Sequence, residues 1–138
     1  MQTFEDLDCW KKITALRNKI SSLVKAFPKE EKFRLIDQSI RASRSATANI
    51  AEGYGRYHYQ ENIQFCRHSR GSLYEVLDHM IVAKDEKFIS EEEFKDLKIE
   101  IRQCIAVLNG YINYLSRAKA QGKEVSEPEL YYQLTDND

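Results

Sequence analysis

Apolar residues recur along this chain with the three-and-four spacing of a single helical face, and no stretch shows the strict alternation of a half-buried strand. The first such run extends from about Asp6 to Phe27. Ile13, Leu16, Ile20, Leu23 and Phe27 mark its stripe, and Leu7, Trp10 and Val24 widen it. Phe27-Pro28 ends it, because the residue before a proline is pushed out of the helical region. Pro28 then suits the first turn of a second helix, where no backbone donor is needed, and Glu30 and Glu31 complement the dipole of that turn. This helix is predicted to continue to about Glu52. Its lower half is apolar (Phe33, Leu35, Ile36, Ile40) and its upper half is small (Ala42, Ser43, Ser45, Ala46, Ala48, Ala51). Gly53 and Gly55 supply a C-terminal stop.

A short turn from Tyr54 to His58 leads into a third helix, predicted over about Tyr59 to Asp85, with Cys66, Ser69, Leu73, Val76, Met80 and Ala83 as its stripe. Gly71 lies inside it, at a cost of about 1 kcal/mol relative to alanine, which predicts a close approach of a neighbour there. Ser90-Glu91-Glu92-Glu93 is a capping box for a fourth helix. Phe94, Leu97, Ile101, Cys104, Leu108, Tyr111 and Leu115 carry that helix to about Ala118, and Gly122 breaks it. The pattern predicts an all-α fold, an antiparallel up-down four-helix bundle over residues 1–120. An acidic, flexible tail is predicted over 121–138, with 129–134 as a segment suited to local docking. Phe33, Ile105, Ile112 and Tyr114 lie off the main stripes and either complete a wide core or face another subunit.

Composition narrows the setting. The 138 residues are 42% hydrophobic and 31% charged, which suits one soluble domain. No apolar run approaches the roughly 18 residues of a membrane span, and the polar, acidic start is unlike a secretory signal. A cytoplasmic protein without membrane contact is expected. Cys9, Cys66 and Cys104 are far apart and lack metal or redox spacing, so they read as buried free thiols. The net charge of −1 is uneven. Residues 121–138 carry Lys123 against five acids, a net −4, whereas Arg41, Arg44, Arg56, Arg67 and Arg70 outweigh Glu52 and Glu61 between them by +3.

Nothing in the chain spells a reaction. A di-iron bundle needs Glu-x-x-His pairs on two helices; here Glu75 and His79 are four apart and unrepeated. His58, His68 and His79 lack ligand spacing and read as surface histidines. Gly53-x-Gly55 follows a helix, whereas phosphate loops precede one. No catalytic residue, metal, cofactor or small-molecule substrate is expected. Arg56-Tyr57-His58-Tyr59 instead combines arginine with aromatic rings at one end of the bundle, a pairing suited to phosphate contact and base stacking. With Arg41, Arg44, Arg67 and Arg70 on the two adjoining helices, it forms the candidate nucleic-acid surface. The competing reading is a solvated or salt-bridged face, with Arg67 near Glu61 or Arg70 near Glu75. Asn49 and Glu52 share one helical face among alanines, and buried polar groups left unpaired are costly. They read as structural contacts, Asn49 to a neighbouring helix backbone and Glu52 to Arg56, with direct ligand contact as the alternative.

These residues also carry a resemblance. Asn49-Ile50-Ala51-Glu52-Gly53-x-Gly55-Arg56 followed by Gly71-Ser72-Leu73-x-Glu75 resembles the bacterial four-helix bundle family encoded within intervening sequences of 23S ribosomal RNA genes. Phe4-x-Asp6-Leu7-x-x-Trp10, Phe27-Pro28-x-x-Glu31 and Gln38-Ser39-Ile40-Arg41-Ala42-x-x-Ser45 extend the match over roughly residues 4–118. The resemblance implies a ring-like homopentamer. It also implies a fold similar to the accessory variability determinant of diversity-generating retroelements, which binds nucleic acid. The expected function is therefore a non-enzymatic, self-associating adaptor of structured RNA or a ribonucleoprotein. The alternative is a protein-interaction scaffold with no nucleic-acid contact.

Overall fold

Four long helices carry residues 3–125, the part of the chain that the computed structural model describes: α1 (Asp8–Leu23), α2 (Asp37–Tyr54), α3 (Tyr59–Asp85) and α4 (Glu91–Ala120). Among the described residues there is no strand, and no helix is long and apolar enough to cross a membrane. Each helix packs chiefly on its neighbours in sequence, and α4 returns to α1, which closes the up-down bundle. The predicted stripes form the core: Ile13, Leu16, Ile20, Ile50, Leu73, Met80, Ile101 and Leu108 are all but fully buried. Ile105 and Ile112 complete that core, whereas Phe33 is 83% and Tyr114 49% exposed. The predicted tail segment 129–134, with the rest of 126–138, lies outside the described residues.

Helix ends follow their local chemistry. Ser90 accepts the Glu93 N–H at 3.0 Å while the Glu93 carboxylate accepts the Ser90 N–H at 3.1 Å, the reciprocal box that starts α4. At its far end Gly122 takes φ +67°, and the Gly122 and Lys123 N–H groups bond Lys119 and Ala118 carbonyls, a Schellman close. The same arrangement ends α3, with Lys87 at φ 64° in the position usually given to glycine.

The second helix does not begin at Pro28. Residues Lys29–Glu31 form a 3-10 turn and Lys32–Ile36 a π turn, with Arg34 at φ −119°, ψ −108°, before α2 starts at Asp37. The Glu31 carboxylate accepts the Leu35 N–H at 3.1 Å and anchors this bend. Through this turn Leu35 enters the core, while Phe33, two residues earlier and off the main stripe, points into solvent. The first helix likewise tightens to a 3-10 turn over Val24–Ala26 before Phe27.

α2 and α3 pack most extensively, and small residues permit it. The Ser69 hydroxyl reaches the Ala46 carbonyl at 2.6 Å. At Gly53, a Cβ would lie 2.8 Å from the Phe65 Cβ and 2.8 Å from Asn62 Oδ1. Gly71, where a close approach was expected, has nothing within 4 Å of such an atom. Gly53 therefore sits inside the helix as the contact glycine, and only Gly55 serves as the helix stop, its N–H bonding the Ala51 carbonyl at 3.0 Å.

Candidate functional site

The motif residues gather along the outer seam between α2 and α3. Asn49 does not reach a neighbouring helix. Its amide donates to the Ser45 carbonyl at 2.8 Å and the Ser45 hydroxyl at 3.0 Å, one turn back on its own helix, and Ser72 of α3 donates to that same hydroxyl at 3.0 Å. Glu52 pairs with Arg56 at 3.3 Å as expected, an exposed i,i+4 pair of small energetic value. Glu75 follows Ser72 by one turn, and its carboxylate lies 3.6 Å from His79 Nε2, too far for a hydrogen bond. His79 is buried, against its expected surface position; His58 and His68 are exposed.

The candidate arginines do not form one patch. Arg41 is held by Asp37 at 3.0 Å. Arg70 faces α4 and donates to Asn109 at 2.8 Å, not to Glu75. Arg56 folds back between Glu52 and the face of Phe65, with its guanidinium carbon 5.1 Å from the ring centroid. Arg44 and Arg67 are exposed and have no ion-pair partner among the described residues. The turn itself is as read: Tyr57 takes φ 51°, and His58 occupies the cap position of α3 without a side-chain bond to the helix. What sequence reasoning did not show is where the turn sits. It abuts the end of α4, so Tyr54, Tyr57, His58 and Tyr59 line a cleft of about 200 Å³ with Tyr111 and Tyr114.

A second groove, between α1 and α2, joins Arg44 to residues the sequence did not mark as candidate contacts. Trp10, Arg17 and Asn18 from α1 face Arg44, Thr47 and Ala48 from α2. Arg17 donates to the Thr47 hydroxyl at 2.9 Å, and Thr47 donates to the Arg44 carbonyl at 3.2 Å. Arg17, like Arg44, has no carboxylate partner among the described residues. Two uncompensated guanidiniums thus flank a groove that has an indole at one wall and small alanines on its floor. Arg17 and Arg44 are distant in sequence, and only the antiparallel pairing of α1 with α2 brings them together.

The thiols are placed for packing. Cys9, Cys66 and Cys104 are buried and free. Burial pushes their pKa values up to about 11, 12 and 11, so the reactive thiolate is scarce at neutral pH. A thiol reagent at pH 7.5 is expected to label none of the three in the folded protein within minutes and all three in urea; rapid labelling of any one without denaturant would contradict this placement. Among the described residues no group of three or more His, Cys, Asp or Glu side chains is arranged to hold a metal ion.

The model of the 23S rRNA-intervening sequence protein family matches residues 5–110. The chain belongs to that family. The matched range includes the whole α2–α3 seam and both arginines of the α1–α2 groove, and it ends one residue before Tyr111. The family thus covers one wall of the tyrosine cleft, while Tyr111, Tyr114 and residues 121–125 lie beyond the match. No curated protein matches the chain.

Proposed function

We propose that this family member is a non-enzymatic, self-associating adaptor that contacts structured RNA or a ribonucleoprotein in the cytoplasm. The observation that carries the reading is the α1–α2 groove. The guanidiniums of Arg17 and Arg44, without a carboxylate partner among the described residues, suit phosphates, the Trp10 ring offers a stacking surface, and Ala48 and Ala51 leave room for a backbone to lie close. The family's name links it to 23S rRNA genes, which supports ribosomal RNA as the first substrate to test. Self-association, as a pentamer by resemblance, is supported by large apolar side chains left in solvent: Phe33, Tyr74 at 57% and Ile99 at 55% exposed. In a closed ring the modest excess of positive charge on each body would repeat around the axis and add to one field.

Binding of a structured ribosomal RNA fragment should weaken linearly on a log–log plot as salt rises. Arg17→Ala and Arg44→Ala should each lower that slope by about one and weaken binding across sequences. Arg41→Ala, which removes a guanidinium already held by Asp37, should change it less. Salt-independent binding, or unchanged slopes in both groove variants, would reject RNA contact and favour the scaffold reading, for which the acid-rich segment 121–138 speaks. A light-scattering mass of one chain at micromolar concentration would reject self-association.

A further inference from the structure

The tyrosine cleft shares no lining residue with the α1–α2 groove, and its chemistry is different. Five phenol rings line it: Tyr54 at the end of α2, Tyr57 in the turn, Tyr59 at the start of α3, and Tyr111 and Tyr114 near the end of α4. Two of these rings are placed by contacts within the lining. The Tyr111 hydroxyl accepts the Asn62 amide at 3.2 Å, and Tyr111 and Tyr114 lie nearly parallel, with centroids 6.3 Å apart and planes 16° from each other. Across the cleft, Tyr54 and Tyr57 are 6.2 Å apart and tilted by 58°.

The charge of the lining sets the ligand class. Among the described residues no lysine or arginine lines the cleft; besides the phenols its ionisable groups are Glu124 and His58. Among the described residues Glu124 has no ion-pair partner. Arg56, the nearest arginine in sequence, is held elsewhere by Glu52 and Phe65. Phenol faces are electron-rich and attract cations within about 6 Å of the ring centroid, and a carboxylate adds to that field. A phosphate would meet the Glu124 carboxylate and find no lysine or arginine among the described lining residues, where His58 is the sole imidazole. Size narrows the class further, since about 200 Å³ falls below the roughly 300–1,000 Å³ of sites for drug-sized ligands, so the cleft suits a compact head group. An unmodified ammonium is strongly hydrated; a methylated one gives up less hydration on meeting flat ring faces.

We propose that this cleft binds a methylated ammonium group, enclosed by Tyr54, Tyr57, Tyr111 and Tyr114 and balanced by Glu124. The site uses none of the groove arginines, so its test is separate from that of the groove.

The test uses the full chain, with choline as probe and 3,3-dimethylbutanol, its uncharged carbon isostere, as control, followed by calorimetry and by NMR of the tyrosine rings. Choline should bind saturably and the isostere at least tenfold more weakly. Tyr114→Leu, at a half-exposed position that leaves the core intact, should weaken choline about fivefold, the loss of one ring. Glu124→Gln should weaken it and reduce its sensitivity to salt. A trimethyllysine peptide that binds more tightly than choline places the group on a protein partner, whereas tighter free choline places it on a small molecule. Equal binding of choline and its isostere, wild-type affinity in both variants, absence of choline binding at millimolar concentration, or preferential capture of a mononucleotide by the same rings would each overturn the proposal.

Discussion

Alanine at Gly53 is expected to destabilise the bundle by about 1–3 kcal/mol, the usual cost of overpacking a close contact. Alanine at Gly71 is expected to stabilise it by roughly 0.5–1 kcal/mol. Both glycines sit inside helices, where alanine is intrinsically better by about 1 kcal/mol, so intrinsic propensity favours both changes. Space decides between them. At Gly53 the added carbon would lie 2.8 Å from the Cβ of Phe65 and 3.2 Å from the Asn62 carbonyl oxygen, atoms that cannot swing away without moving the α3 backbone. At Gly71 it would meet nothing within 4 Å. Because Asn62 also holds Tyr111, a shift of α3 at Gly53 should disturb the tyrosine cleft as well. Urea unfolding of the two variants against the parent measures both effects. A Gly53→Ala protein as stable as the parent would show that the two helices are not in firm contact there.

Above pH 9 the fold should lose stability steeply, and the three thiols set the window. Burial raises Cys9 and Cys104 to about 11 and Cys66 to about 12 from an ordinary 9.0, and it raises the Tyr111 phenol as well, against a smaller opposing pull from the Asn62 hydrogen bond. The sign follows from which state holds the proton. Past pH 9 the unfolded chain releases thiol protons that the folded chain retains, so the unfolded state gains. Each thiol should then remove up to about 1.4 kcal/mol per pH unit until its own folded pKa is reached. For Cys9 and Cys104 the loss runs from pH 9 to about 11, and for Cys66 to about 12. Unfolding free energies measured between pH 8 and 10.5 should bend downward, and Cys9→Ala should remove one proton's share of the slope. A flat profile over that range would mean that the thiols are more open to water than their near-zero exposure indicates.

Much of the bundle was legible because its core follows a period. α3 falls on Tyr59–Asp85 as its stripe predicts, and the capping box at Ser90 starts α4 where it should. What escaped was set by contacts between elements. Phe33, Ile105, Ile112 and Tyr114 all lie off the main stripes, yet Ile105 and Ile112 are buried while Phe33 and Tyr114 are exposed, and no local propensity announces the π turn at Lys32–Ile36. Gly53 and Gly71 have similar helical surroundings, and only the approach of α3 separates them. Asn49 was expected to reach across a seam; a carbonyl one turn back on its own helix is nearer. The arginines were visible as a group along the chain, yet a helix turns by about 100° per residue, so residues close in sequence point to different neighbours. Arg70 consequently meets α4, and Arg44 meets α1. Arg17 and Trp10 entered the candidate surface only through that pairing.

The sealed thiols have a practical consequence. Because all three native cysteines lie inside the bundle, one added at an exposed position would be the single nucleophile open to a maleimide dye. Ala48→Cys, on the floor of the α1–α2 groove, would seat a fluorophore where nucleic acid is proposed to pass. Its emission would then report occupancy of that groove in the otherwise unaltered chain, and energy transfer between labelled copies would reveal the spacing of protomers in an assembly.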